Sequence, residues 1–136
     1  MTRIFVDSAY YIAVLHPGDD LHHQATEVAA DIGDSGEFLT TDGVLVEVLT
    51  FFARLGDRFR MMAAELVEEL FGSPRMTVIR QTPELFDAGL RLYRARPDKT
   101  YSMTDCMSMA VCRQQRIRDV LTHDHDSQQE GFRILL

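Results

Sequence analysis

The stretch RIFVDSAYYIAVL, residues 3–15, changes its pattern in the middle. Its first four residues are a short β-branched and aromatic run without polar alternation, the composition of a strand buried on both faces. Asp7-Ser8 ends that run, and AYYIAVL reads as a helix until His16-Pro17-Gly18 breaks the pattern. A strand that passes into a helix through an aspartate opens a β–α unit, and the rest of the chain repeats the arrangement. DDLHHQATEVAADIG carries an apolar stripe of Leu21, Ala25, Val28, Ala29 and Ile32, with Gly33 as its stop. EFLTT is a second strand, followed by a helix over VLVEVLTFF, and another amphipathic helix runs from about Asp57 to Phe71. MTVI is a third strand, and Thr82-Pro83-Glu84 opens a helix that reaches Arg96-Pro97. SMTDCMSMAVCRQQ is helical, DVLTHD contains a fourth strand, and FRILL is a fifth. Strands alternating with helices predict an α/β protein, a three-layer α/β/α sandwich around a mostly parallel sheet of about five strands.

The 136 residues, 46% apolar and 26% charged, are those of one soluble globular domain. No apolar run approaches a membrane span, and the first residues lack the pattern of a signal peptide, so a cytoplasmic location without membrane partners is expected. Cys106 and Cys112 fall in one predicted helix, about 240° apart around its axis, which suits reduced thiols. A net charge of −7 is unusual for a nucleic-acid binder. A cluster of carboxylates around divalent cations would be locally neutral and reverse that conclusion. Arginines outnumber lysines thirteen to one, and guanidinium forks suit phosphate, although genomic composition gives the same bias.

In open parallel sheets, sites form beyond the carboxyl ends of the strands. Asp7 stands at such an end. It suits both an N-cap, accepting amide N–H groups of the first helical turn, and a metal-binding carboxylate. Asp124 follows the fourth strand in THDHD, which also offers His123, His125 and Asp126. The His-x-His pair has zinc-ligand character, but no cysteine or further histidine cluster joins it. Asp124 is preferred to Asp126 because it lies nearer the strand end. Asp105, in YSMTDC, forms an S-x-x-D capping box with Ser102. Glu47 interrupts the apolar run at 44–52 and shares a helix face with Val44 and Phe51, a face that normally turns towards a core. An ionised carboxylate there costs several kcal/mol unless donors or a cation compensate it. Two acids at strand ends, one in a first helical turn and one on an apolar face can meet at one sheet edge. Mg²⁺ or Mn²⁺ takes oxygen ligands of this kind.

The ordered stretches FVDSAYYIA, TTDGVLVEVLTFF and DKTYSMTDCMSMAVCRQQRIRDVLTHDHDSQQEGFRIL resemble the PIN-domain ribonucleases, particularly the VapC-like toxins of bacterial toxin–antitoxin pairs. The resemblance spans essentially the whole chain, read as a single PIN-like domain over residues 1–136. It implies metal-dependent hydrolysis of RNA, with Asp7, Glu47, Asp105 and Asp124 as the catalytic and metal-binding quartet around Mg²⁺ or Mn²⁺. Ser8 and Thr104 match the hydroxyl residues that support the first and third acids. It further implies a cognate antitoxin and a homodimer. The family commonly has an aromatic residue two or three places after the last acid, where this chain has His125-Asp126-Ser127. Arg113, Arg116 and Arg118 are candidate phosphate contacts or a solvated helix end. Two other readings share the architecture. A phosphoacceptor receiver needs paired acids after the first strand and a late lysine, whereas Asp7 has no acidic neighbour and Lys99 precedes the fourth strand. An inactive PIN-fold interaction module differs from the enzyme only in lacking cleavage.

Overall fold

The computed structural model describes residues 2–32 and 36–136. β1 (Arg3–Val6) leads into α1 (Ser8–Leu15) and α2 (His22–Ile32), then β2 (Glu37–Thr41), α3 (Asp42–Phe52) and α4 (Asp57–Gly72). β3 (Met76–Ile79), α5 (Pro83–Ala95), α6 (Met103–Gln115) and β4 (Asp119–Leu121) follow. A short α7 (Asp126–Gln129) precedes β5 (Arg133–Ile134). Gly33, the expected stop of α2, lies outside the described residues.

The strands form a five-stranded sheet in the order β3-β2-β1-β4-β5, and every pairing among them is parallel, so the mostly parallel sheet expected from the sequence is wholly so. Consecutive residues of β1 (Ile4, Phe5 and Val6) are all buried. Side chains of a strand alternate between faces, so both faces of β1 are covered. This is the α/β/α arrangement, with Val44, Leu45, Val48 and Phe52 of α3 and Val111 and Cys112 of α6 in the same core. Each such large side chain, removed from water, contributes about 1.5–3 kcal/mol.

The helices begin where the sequence supplies caps. Thr41 Oγ1 accepts the amide of Val44 at 3.1 Å to open α3, and Thr82 Oγ1 accepts that of Leu85 at 3.1 Å to open α5, with Pro83 in the first turn. α7 was not anticipated. One turn of DSQQ is too short to show a helical period, and Gly131, at φ 92°, turns the chain out of it into β5. The expected strand over FRILL is confined to Arg133–Ile134, although the amide of Leu135 still reaches the carbonyl of Val120 at 3.0 Å.

α5 and α6 approach closely at Gly89. A β-carbon there would lie 2.5 Å from Cγ of Met107 and 3.2 Å from its backbone nitrogen. The methionine side chain can yield, but the helix backbone cannot. Gly89→Ala is therefore expected to lose about 1–3 kcal/mol by overpacking, of which alanine's helix propensity returns up to about 1 kcal/mol. A urea midpoint equal to that of the wild type would show that the two helices separate without penalty.

Candidate metal centre at the sheet edge

β1 is central. The chain builds β2 and β3 on one side of it and then crosses to place β4 and β5 on the other, so the connections diverge between β1 and β4. Such a switch point leaves a crevice beyond the strand ends. Asp7 enters it from β1 while its amide, donating to the carbonyl of Leu121 at 3.1 Å, still belongs to the β1–β4 ladder. Asp7 caps α1, with Oδ1 accepting the amide of Ser8 at 2.8 Å. Its Oδ2 accepts the hydroxyl of Thr122 at 2.9 Å. The same Thr122 Oγ1 accepts the amide of Asp124 at 3.1 Å, so one fully buried hydroxyl ties together the two acids that leave β1 and β4. The role of Thr122 was missed as a separate contribution, although its place two residues before Asp124 in LTHD is a visible signal.

Asp105 sits in the first turn of α6. The capping box read from the sequence is present: the amide of Asp105 donates to Ser102 Oγ at 3.0 Å, and the amide of Ser102 donates to Asp105 Oδ2 at 2.9 Å. The carboxyl group is thereby held across the crevice. Single carboxylate oxygens of Asp105, Asp124 and Asp126 all lie within 4.8 Å of one another. The choice between Asp124 and Asp126 thus dissolves, because the amide of Asp126 donates to Asp124 Oδ1 at 3.0 Å and the tight turn keeps both acids in the cluster. His123 and His125 are exposed, with ring centroids 5.5 Å apart, and they join no metal-binding group among the described residues.

Glu47 occupies a different setting from the one its apolar neighbours suggested. Val44, Leu45, Val48 and Phe52 take the core side of α3, while Phe51 is 42% exposed and borders an open cleft with Glu47. Ser8 and Thr104, the two hydroxyl residues expected beside the acids, line that cleft too. The helix has a core stripe, and Glu47 stands at its margin, half-buried and facing the other carboxylates.

Asp105, Asp124 and Asp126 form the close group, while Asp7 and Glu47 stand outside it and are coupled to it by charge. Burial raises Asp7 to about 6 against the lowering hydrogen bonds of Ser8 and Thr122, and the charges of Asp105 and Asp124 raise it further. Burial, then Asp7 and Asp105, raises Glu47 to about 7. Asp105 is raised by burial and by Asp124, and Asp126 by burial and by Asp124. None of the ion pairs found among the described residues involves these five acids. The oxygens of Asp105, Asp124 and Asp126, with Asp7 and Glu47 nearby, form an all-oxygen donor set suited to a hard divalent cation.

Behind the cluster, α7 is anchored by Glu130, whose side chain is only 5% exposed. Arg96 donates to it through Nε at 3.0 Å and Nη2 at 3.3 Å, Arg113 through Nη2 at 2.7 Å, and the Tyr101 hydroxyl at 3.0 Å. Burial works to raise this carboxyl, but the hydrogen bonds of Arg96, Arg113 and Tyr101 outweigh it and hold it at about 2. Arg113, a candidate phosphate contact on sequence grounds, is committed to this pair.

The family model of the PIN domain matches residues 4–131. The chain belongs to the PIN-domain family. Among solved structures, this PIN domain is similar to the VapC20 toxin of Mycobacterium tuberculosis, described as cleaving the sarcin–ricin loop. The two share a TM-score of 0.84 and 27% identity, with 96% of each chain covered. It also shares its fold with DNA-bound VapBC of Salmonella typhimurium, at TM-score 0.64 and 14% identity over 99% of this chain and 98% of that one. FitAcB of Neisseria gonorrhoeae matches at TM-score 0.66 and 16% identity over 98% and 96%. The fold is VapC-like. A search of curated protein sequences returned no match. Among the described residues, no helix is long and apolar enough to cross a membrane.

Proposed function

We propose that this PIN domain, a single domain over residues 1–136, is a metal-dependent endoribonuclease acting in the cytoplasm as the toxin of a toxin–antitoxin pair. The observation that carries the reading is the carboxylate cluster at the β1–β4 switch point, whose acids take part in none of the ion pairs found among the described residues. The similarity to an RNA-cleaving toxin supports the substrate. Asp7, Glu47, Asp105 and Asp124 would hold Mg²⁺ or Mn²⁺, with Asp126 beside them. A cation held there would supply Lewis-acid activation of water and phosphate. The chain supplies the orientation. Ser8 and Thr122 aim the Asp7 oxygens, and Ser102 aims Asp105. Glu47, raised to about 7 by burial and by Asp7 and Asp105, would be held in its ionised form by a bound cation. The VapBC and FitAcB structures support an antitoxin partner, and a homodimer belongs to the same reading.

The test is incubation of the purified protein with a pool of tRNA and structured RNA in Mg²⁺, in Mn²⁺ and in EDTA. Cuts in either metal that disappear in EDTA are expected. Cleavage that persists in EDTA would remove the cation from the mechanism. A protein that neither cuts RNA nor binds Mn²⁺ would leave the interaction module as the function of this fold.

A further inference from the structure

The connection between α5 and α6 forms a pocket of about 230 Å³ lined by Tyr93, Arg96, Pro97, Lys99, Thr100 and Tyr101. Its polar lining consists of two cations and three hydroxyl groups, which is phosphate-binding chemistry. Arg96 is held in place by its two bonds to Glu130. Arg113 shares that carboxylate, so two guanidinium groups face one Glu130 side chain, with Asp98 and Asp126 as the other acids acting on the pocket. Lys99, the one lysine of the chain, makes a loose pair with exposed Asp98 at 3.9 Å, an interaction of little strength in water, and its charge also favours the ionised form of Asp126 at the edge of the cluster.

The pocket borders the acidic cluster through covalent and hydrogen-bonded neighbours. Tyr101 precedes Ser102, whose amide holds Asp105. The Tyr101 hydroxyl also donates to Glu130 at 3.0 Å, just beyond α7, the turn that starts at Asp126. A chain of net charge −7 repels a polyanion except where cations are concentrated. Divalent cations would offset much of the cluster's negative charge, and the adjoining pocket offers the nearby cations Arg96 and Lys99 to a nucleic-acid strand leaving the cluster.

We propose that this pocket binds a non-scissile phosphate of the RNA strand, flanking the bond that the acidic cluster cleaves. The inference rests on the ribonuclease reading and names the part of the substrate that the α5–α6 connection holds. Lys99 and the hydroxyl of Thr100 are the contacts that would serve it, and Arg96 forms the fixed wall.

The experiment compares wild type, Lys99→Gln and Lys99→Arg for binding a fluorescein-labelled RNA hairpin by anisotropy, with Ca²⁺ as the oxygen-liganded cation, between about 50 and 200 mM KCl. One lost phosphate contact lowers the slope of log affinity against log salt by about 0.7–1, and weakens binding about fivefold near 100 mM. Lys99→Gln is expected to show both changes and Lys99→Arg neither. Mn²⁺-dependent cleavage by the wild type is measured alongside. Cleavage together with an unchanged slope and affinity in Lys99→Gln would overturn the phosphate pocket alone, leaving an acidic protein segment as its occupant. A wild type that neither binds nor cuts RNA would overturn the ribonuclease reading and the pocket together.

Discussion

Asp7→Asn is expected to lower metal-dependent RNA cleavage on the order of a thousandfold, several kcal/mol of transition-state stabilisation, while making the metal-free protein more stable above neutral pH. The two effects have one cause. Asp7 is raised from 3.8 to about 6 by burial and by the neighbouring acids, so the folded state holds its proton more tightly than the unfolded chain does. A raised carboxyl contributes stability that is fully present below about pH 3.8 and is lost as the pH rises through about 6. Above that, the folded protein carries a buried charge that repels Asp105 and Asp124. Asparagine removes the charge and keeps an oxygen to accept the Ser8 amide, so a gain of about 1–2 kcal/mol near pH 8 is expected, shrinking towards pH 4. Added Mn²⁺ should raise the melting temperature of the wild type well above that of the metal-free protein, because a ligand that binds only the folded state stabilises it. Asp7→Asn should show a much smaller rise. Thermal unfolding with and without Mn²⁺, beside the cleavage assay, measures all of this. A variant that is destabilised near pH 8, or that cuts as the wild type does, would remove Asp7 from the cation site.

Glu130→Ala is the change expected to damage the fold most. It deletes the acceptor of four charge-assisted or hydroxyl hydrogen bonds and leaves Arg96 and Arg113 without their shared partner. Breaking a buried pair from one side typically loses 3–5 kcal/mol. The two arginine side chains are 37% and 47% exposed and regain water, which places the loss near the lower end, at about 3 kcal/mol. The pH dependence runs opposite to that of Asp7. Glu130 is lowered from 4.5 to about 2, so its contribution is present above about pH 4.5 and is lost as the pH falls through about 2. The difference in urea midpoint between wild type and Glu130→Ala should be full near pH 6 and much reduced near pH 3. A gap that stays constant across that range would show that packing, rather than the ionised carboxylate, is what Glu130 provides. Because α7 hangs between this anchor and Asp124, the variant is also expected to loosen the edge of the acidic cluster, seen as faster amide exchange at Asp126 and Ser127 than in β1.

The order of strands and helices was legible because each element announces itself within a few residues. RIFV and EFLTT are continuous apolar or β-branched runs, Thr82-Pro83 and Ser102 with Asp105 are start signals, and His16-Pro17-Gly18 is a stop. These are local interactions, and the structure retains them, down to the reciprocal hydrogen bonds of the Ser102–Asp105 box. Asp7 and Asp124 could be singled out on the same ground, since a carboxylate just past a strand of a parallel sheet lies at the edge where sites form. The identity of Glu47 as an anomaly was also local: an acid among aliphatic residues. Which way its helix face turned was not, because Phe51 and Phe52 look alike in sequence while only Phe52 enters the core.

What tertiary structure alone decided is the meeting of groups far apart in the chain. The sheet order places β4 beside β1, and only this brings Thr122 to Asp7 across 115 positions and gathers Asp105 with Asp124 and Asp126. The anchor of α7 by Arg96, 34 residues before Glu130, has no local signature either, nor has the backbone approach that makes Gly89 necessary. The chain's own pattern of apolar period, caps and breakers determined the elements and the acids available, because propensity and capping act over one or two turns. Burial, charge coupling and pKa depend on distances through space, and those exist only after the strands have been ordered and the helices packed across them.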